Sequence, residues 1–497
     1  MDKSRIGGVY MTFLLAIDQG TTSTRCVVYD EELNIIKSEQ QEYSLLYPAD
    51  GWVEVDPNKL LESVYNTLDP ILDSSFDIKC LGITNQRETT LVWEAESGTP
   101  IYNGIVWQDR RTADYCSSLK EQNLEHIINQ KTGLLLDPYF SATKISWILD
   151  NVEGAREKAL KGNLRFGTVD TFLLWHLSDG QLHKTDVTNA SRTNIFNIRS
   201  MEWDQELLDI FDVPASMLPE VCSSDAEFGS LSRKSASIPI TGMIGDQQSA
   251  LVGQRCFNYG DMKATFGTGC FLMVNSGLKP QSSKSGLLST VGYKLKESTS
   301  YALEGSIFSA GTTIQWLRDN MKFFKDSQAS IELLSSSGKS NGVLFIPAFT
   351  GIGAPHWNAE VRASFYGITR DTSQQDMITA AFKALIYQVM DIRDALKEDG
   401  IEIMNLAVDG GMAGNEKFCQ LLADFLGLDI RVPASTESTA TGAAITAGIG
   451  FGIFSTEKTI EKGPNQLTIY SPREGILDIS DHENWKQFLK VLMQAYS

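Results

Sequence analysis

The chain has 497 residues, 42% of them apolar, and a formal net charge of −19. One hydrophobic core does not sustain that length, so two domains of roughly 200 to 250 residues are expected. The charge argues against a nucleic-acid binder or a protein of anionic membranes, both of which need an excess of Lys and Arg. It also favours a neutral substrate, because an anion would need a local cationic pocket. The seven cysteines are scattered, without a Cys-x-x-Cys pair, which argues against a disulfide framework or zinc site and fits a reduced, cytoplasmic setting. No transmembrane segment is expected. The apolar stretch after Tyr10 is interrupted by Asp18, and the Ala- and Gly-rich run Thr439 to Phe454 fits a closely packed buried helix.

In chain order, an apolar run from Phe13 to Ile17, a six-residue turn-like segment from Asp18 to Ser23, and a β-favouring run from Arg25 to Tyr29 predict a strand, a tight loop and a returning strand. Gly20 lets the backbone approach a ligand, while Thr21, Thr22 and Ser23 set hydroxyls beside free amides, a turn suited to phosphate oxygens. A carboxylate facing that turn, Asp18, makes most sense with a Mg²⁺ ion between them. An ordinary polar hairpin turn accounts for this stretch equally well. Asn34 to Leu45 is strand-like, a helix follows near Pro57 with apolar spacing over Asn58 to Leu72, and Ile78 to Thr84 is a short buried strand. That strand delivers Asn85-Gln-Arg-Glu-Thr-Thr90 at its carboxyl end, where open α/β sheets bind ligands. Leu91 to Trp93 and Ile101 to Trp107 are predicted strands, and helical and loop segments run on to about Leu218. Ala215 to Pro239 has the composition of an irregular surface excursion. Ile240 to Gly245 is a strand, and Asp246-Gln-Gln248 leads into a helix from Ser249 to about Gly253.

A domain boundary is placed near residue 255, giving domains 1–254 and 255–497. Met262 to Val274 then repeats the plan of the opening hairpin, so an internal duplication is expected. Helices are predicted over Ala310 to Met321 and Thr379 to Leu396, a polar insertion over Lys325 to Asn341, and a strand over Val343 to Ile346. Gly351 to Trp357 is a loop. Leu406 to Asn415 is a strand feeding a glycine-rich turn and then a helix.

The turns at Gly20, Gly267 to Gly269 and Gly410 to Gly414 together point to a nucleotide in a cleft between two similar domains. The first two would grip phosphates and the third lie near ribose and adenine. None matches the Walker pattern or the dinucleotide fingerprint, and no protein-kinase signature set occurs. Eight runs stand in one order along nearly the whole chain: Asp18-Gln-Gly-Thr-Thr-Ser23, Asn85 to Thr90, Asp137-Pro-Tyr-Phe140, Gly167-Thr-Val-Asp-Thr171, Thr188-Asn-Ala-Ser-Arg-Thr193, Gly245-Asp-Gln-Gln248, Gly267-Thr-Gly-Cys-Phe271 and Asp409-Gly-Gly411. In these the sequence resembles the sugar and polyol kinase family, and within it the glycerol kinases, which the run Asn85 to Thr90 separates from kinases of xylulose, ribulose and gluconate. The resemblance implies an α/β fold of two duplicated actin-like ATPase (ribonuclease H-like) domains flanking an active-site cleft. The N-terminal domain would hold glycerol and the phosphate turn, the C-terminal domain the nucleotide. ATP and Mg²⁺ are implied, with sn-glycerol 3-phosphate and ADP as products, in a homo-oligomer (dimer or tetramer).

Glycerol offers three hydroxyls and an apolar carbon edge, so its pocket needs charged or amide groups together with aromatic faces. Arg87, Glu88, Asp246, Gln247 and the Tyr139 phenol would supply the first, Trp107 and Phe271 the second. As strand neighbours, Arg87 and Glu88 would point to opposite faces; only a loop conformation turns both inward. Asp246 is the expected catalytic base, because transfer to a neutral alcohol needs a carboxylate to accept the hydroxyl proton. A helix-capping aspartate explains the same residue, and the two roles are compatible. By resemblance, Thr21, Thr22 and Ser23 contact the phosphates, Arg25 approaches the transferred group, and Asp18 organises Mg²⁺. Thr268, Gly311, Gln315, Gly411 and Asn415 fall where the family contacts the nucleotide, although a solvated helix-surface amide also accounts for Gln315. The histidines His126, His176, His183, His356 and His482 form no spaced metal cluster. Ser230 to Pro239 carries neither the glycine-rich loop with arginine of members controlled by fructose 1,6-bisphosphate nor the histidine of members phosphorylated by the sugar phosphotransferase system. Neither control is expected, which leaves Arg233 and Lys234 as cations open to some other anion. A kinase for another polyol or ketose, and an acceptor-free actin-like ATPase, are the competing assignments.

Overall fold

In the computed structural model, which describes residues 5–6, 9–10, 12–456, 459, 466–473 and 480–496, the apolar run at the start forms the strand Phe13–Gln19. Asp18 and Gln19 belong to it, paired with Arg25 and Thr24 of the returning strand Ser23–Asp30. The expected six-residue loop therefore shrinks to Gly20, Thr21 and Thr22. Polar residues can continue a strand where it runs out of the core towards a ligand site, and composition alone places the turn too early.

Six strands form the first sheet, in the order Gly229–Arg233, Ala236–Gly245, Ile78–Asn85, Phe13–Gln19, Ser23–Asp30 and Ile35–Glu42. Phe13–Gln19, Ile78–Asn85 and Ala236–Gly245 run parallel, and the flanking strands pair antiparallel. Seven strands form the second: Leu288–Leu295, Ser298–Ile307, Cys270–Gly277, Asp261–Phe266, Asn405–Asp409, Ile430–Pro433 and Leu467–Tyr470. Here again a hairpin supplies the first of three parallel strands, and an antiparallel strand closes the far edge. The duplication visible in the two hairpins thus extends across both sheets, with Leu288–Leu295 an addition of the second.

The first sheet is apolar on both faces because both are covered. Phe13, Leu15 and Ile17 pack with Leu60, Val64, Leu68 and Ile71 of the helix Pro57–Leu72, which Asp56 caps through the Asn58 amide. The alternate residues Leu14 and Ala16 pack with Ala440, Ala443, Ala444 and Ala447 of the helix Ser438–Phe451. This second helix comes from the far end of the chain and is the buried helix expected there. Its small residues permit a very close approach. A Cβ on Gly82 would overlap the Ala443 carbonyl, one on Gly242 would lie 2.5 Å from the Ala447 nitrogen, and one on Gly442 would overlap the Ser249 carbonyl of the helix Asp246–Gly253. Polar contacts fix the same seam, with Ser249 Oγ donating to the Thr439 carbonyl at 2.6 Å and Gln254 Nε2 to Ser438 Oγ at 2.9 Å.

Other elements depart from expectation. Only Gly104–Ile105 of the predicted strand Ile101 to Trp107 enters a ladder, against Glu54–Val55, although Ile105 and Val106 are buried. The predicted excursion Ala215 to Pro239 contains the strands Glu220–Cys222 and Gly229–Arg233, and Ala236–Gly245 begins within it. Leu231 and Ile238 face the core while Ser230, Ser232 and Ser237 face out, a polar alternation that has the composition of a loop. In the same hairpin Arg233 pairs with Asp69 at 2.5 Å and Lys234 with Asp73 at 2.7 Å, so these two cations are already matched by carboxylates. The polar insertion Lys325 to Asn341 holds a short helix, Ser327–Leu333. The long helix Gln374–Glu398 starts earlier than its apolar periodicity, at a capping box of Ser373 and Asp376. On it, Asp391 accepts from both His356 and His482 at 2.8 Å, so two histidines remote in sequence meet at one carboxylate. Among the described residues no helix is long and apolar enough to cross a membrane.

The close seam between Ser438–Phe451 and Asp246–Gly253 leaves no room for a methyl group at position 442. Gly442→Ala is expected to destabilise the protein by about 3 kcal/mol or more, through backbone displacement. Urea unfolding checks this, and an unchanged midpoint would show that the helices separate without cost.

Candidate active site

The strand Ile78–Asn85 ends in the loop Gln86 to Thr89, in which Glu88 adopts a left-handed backbone with φ of 60°. A glutamate there is strained, and its surroundings must hold it. Ser141 Oγ and Thr90 Oγ1 each donate to the Glu88 carbonyl at 3.0 Å. The buried Lys144 Nζ lies 3.5 Å from that oxygen and donates to the Tyr139 carbonyl at 2.8 Å. This conformation turns the Arg87 and Glu88 side chains to the same interior, each only 2% exposed. The loop geometry required for both to act is therefore present.

Arg87 donates to Glu304 Oε2 at 2.6 Å and to Oε1 at 3.2 Å, with Gln248 Oε1 at 3.1 Å. Its Nε lies 3.3 Å from Asp246 Oδ1. Arg192 donates from Nε to Glu88 Oε1 at 2.6 Å and from Nη2 to Glu304 Oε1 at 2.9 Å. Burial raises the Glu304 carboxyl, but Arg192 and Arg87 outweigh it and hold it at about 2; burial dominates at Glu88, whose carboxyl stays raised. Glu304 comes from the second sheet, so the charged cluster joins the two halves.

An aromatic wall adjoins it. The Trp107 ring centre lies 5.6 Å from that of Tyr139 and 5.9 Å from that of Phe271, the latter again from the second sheet. Trp107 Nε1 donates to Thr21 Oγ1 at 2.9 Å, tying this wall to the glycine turn. Asp246 opens the helix Asp246–Gly253, which begins three residues earlier than Ser249. Its Oδ1 accepts from the Gln247 amide at 2.6 Å, and its side chain is 26% exposed where its charged neighbours are closed off. Gln247 Oε1 accepts from the buried Lys263, whose ammonium burial pulls down.

The Gly20 turn is braced from behind. Gln19 Nε2 and the Tyr43 hydroxyl donate to the Gly20 carbonyl at 2.9 and 2.5 Å, while Thr22 stays exposed and Thr21 and Ser23 half-buried. Burial, with the carboxylates of Asp246 and Glu437, pushes Asp18 up to about 7 against the opposing pull of Arg25. Arg25 is ion-paired with Glu437 and donates to Gln40 Oε1 at 2.8 Å. In the second half, the Gly311 amide donates to the Gly267 carbonyl at 2.9 Å and the Thr312 amide to the Thr268 carbonyl at 3.1 Å, which locks the helix Gly311–Asp319 onto the second turn. Gln315 lies on an exposed face of that helix. At the third turn a Cβ on Gly411 would meet nothing within 4 Å, and Asn415 caps the helix Glu416–Leu426 through the Phe418 amide at 3.0 Å.

The predicted residues Arg87, Glu88, Trp107, Tyr139, Asp246 and Phe271 thus lie together, in contact with the Gly20 turn through Trp107 and Thr21. Sequence reasoning missed Glu304, Lys263, Lys144 and the partners of Arg192. A charge inside an otherwise apolar strand, as in Ala302-Leu-Glu-Gly305 and Met262-Lys-Ala264, was the available signal.

Models of the FGGY family of carbohydrate kinases match the chain, the N-terminal domain over residues 13–253 and the C-terminal domain over 262–451. The chain belongs to this family, and it has the duplicated actin-like ATPase fold. Glycerol kinase of Alteromonas mediterranea is 50% identical over 93% of this chain and 94% of its own length, and glycerol kinase 1 of Pseudomonas aeruginosa 51% identical over 89% and 91%. The solved Plasmodium falciparum glycerol kinase with ADP superposes with a TM-score of 0.90 at 36% identity, covering 97% of this chain and 98% of that one. A gluconate kinase from Lactobacillus acidophilus shares the fold, with a TM-score of 0.88 at 20% identity over 98% of this chain and 99% of that one.

Lys144 generates a pH prediction. Burial pulls its ammonium down to about 8 from an ordinary 10.5, so between these values the unfolded chain binds a proton that the folded one has released. Stability from this group is full above pH 10.5 and is lost as pH falls through 8. Relative to Lys144→Met, the native protein should gain about 3 kcal/mol between those limits, measured by urea unfolding at each pH. Parallel stability profiles would refute the shift.

Proposed function

We propose that the chain transfers the γ-phosphoryl group of ATP to a terminal hydroxyl of glycerol, giving sn-glycerol 3-phosphate and ADP. One observation carries this reading: side chains from both halves bring charged groups and an aromatic wall together beside the Gly20 turn, with Asp246 as the exposed end of the charged chain. The glycerol kinase name shared by relatives at about half identity supports the choice of acceptor.

In this reading Arg87, Glu88, Tyr139 and Gln247 bind hydroxyls, while Trp107 and Phe271 cover the carbon edge. Asp246 Oδ1 is occupied by Arg87 and the Gln247 amide, which leaves Oδ2 to accept the proton of the attacking hydroxyl. Thr21, Thr22 and Ser23 hold phosphate oxygens, and Arg25 offsets charge on the transferred group once released from Glu437. Thr268, Gly311, Gln315, Gly411 and Asn415 receive the nucleotide, with open space at Gly411 for its approach. Mg²⁺ fits at Asp18, whose carboxyl is raised by burial and by the neighbouring Asp246 and Glu437, a charge environment that a divalent cation would relieve. When bound, the ion supplies neutralisation of phosphate charge. Closure of the two halves, divided near residue 255, excludes water that would otherwise consume ATP.

ADP release measured with glycerol, dihydroxyacetone, xylulose and no acceptor tests the assignment. A rate without acceptor close to the rate with glycerol would establish an ATPase, and a preference for xylulose would establish a ketose kinase. Asp246→Asn should lower kcat about 10² to 10⁴-fold with little change in ATP affinity; undiminished turnover would mean that another group takes the proton. Asp18→Asn should raise the Mg²⁺ concentration for half-maximal rate about tenfold or more, read by magnesium titration at saturating ATP.

A further inference from the structure

Glu304 and Arg192 lie behind the acceptor pocket and have no part in the mechanism above, yet both are fully buried and charged. Glu304 sits in the strand Ser298–Ile307 between small and apolar residues, paired across the sheet with Met273 and Leu288. Its two oxygens divide their acceptor capacity between two guanidinium groups. Oε2 takes Arg87 Nη1, and Oε1 takes both Arg87 Nη2 and Arg192 Nη2. Arg192, from the run Thr188 to Thr193, carries the linkage on to Glu88 Oε1. Its remaining Nη1 is buried and has no hydrogen-bond partner among the described residues.

Such a cluster is a poor device for stability. Well-packed apolar residues often replace buried ion pairs without loss, and a buried donor without a partner is a cost that native structures rarely retain. Orientation explains the charges better. Arg87 Nε lies 3.3 Å from Asp246 and 3.8 Å from Glu88, so without a competing carboxylate the guanidinium would turn onto these two groups and block them. Glu304 draws both terminal nitrogens of Arg87 to the opposite side. Arg192, able to fork where a lysine is not, holds Glu88 by one oxygen and leaves the other free.

We propose that Glu304 and Arg192 are positioning residues for the acceptor, a carboxylate of one half and a guanidinium of the other that together keep Arg87 and Glu88 turned towards the substrate hydroxyls. The proposal rests on the reading of this pocket as the glycerol site. It makes the acceptor pocket of the first half depend on a side chain from the second.

Steady-state kinetics of Glu304→Gln and Arg192→Lys, each over glycerol and over ATP, test it. Each variant should raise the glycerol KM about tenfold or more and move the ATP KM by less than about twofold, since only the acceptor side loses its orientation. Glu304→Asp, which keeps the charge, should recover part of the glycerol affinity. An unchanged glycerol KM in folded variants overturns the role, as does a parallel rise in both KM values, which marks general damage. If Glu304→Gln fails to fold, Arg192→Lys decides by the same ratio. Native enzyme is assayed alongside: absence of glycerol-dependent ADP release rejects the functional reading itself, whereas normal native turnover with unaltered variants rejects only the positioning role.

Discussion

The candidate site at the junction of the two halves depends on how four buried charges solvate one another. Arg87, Glu88, Arg192 and Glu304 are each at most 2% exposed, and water cannot stabilise them. Their cost is met by alternation, each guanidinium lying between carboxylates. That arrangement bonds each of the four to at least one other member. It also accounts for the backbone of Glu88, because a relaxed strand conformation would aim one of the two adjacent charges into the apolar core.

The pocket grows outward from this cluster by a gradient of exposure. Glu304 is sealed, Arg87 lies next to it, and Asp246 stands at the border with a quarter of its side chain accessible. A carboxylate placed so can meet a substrate and still be oriented by a neighbour that solvent never reaches. The hydrogen bond from Trp107 to Thr21 extends the same economy of parts, since a ring of the aromatic wall also steadies the Gly20 turn.

Much of this was legible in the residues. The strand Ile78–Asn85 follows from its burial pattern, and the second hairpin disclosed the duplication, whereas the inward rotation of both Arg87 and Glu88 needed the loop that family resemblance implied. Elements whose character comes from tertiary covering were not legible. Gly229–Arg233 looks like a loop because its outward serines mask the alternation of Leu231 and Ile238, whereas Val106 looks like strand because an apolar loop residue fills a core as readily. Glu304 was invisible for a different reason. Its partners lie more than two hundred and one hundred residues away, at Arg87 and Arg192, and no local spacing encodes such a meeting.

The helix Ser438–Phe451 is encoded with the second half but serves as a wall for the first. Leu14, Ala16, Val27, Tyr29 and Cys80 have Ala440, Ala443, Ala444 and Ala447 as their cover. During synthesis, then, the earlier half leaves the ribosome with one greasy sheet face bare, and that face waits through nearly two hundred further residues for its lid. Gene fragments cut at the apparent midpoint would inherit the same nakedness, so the inheritable module and the stable one do not coincide.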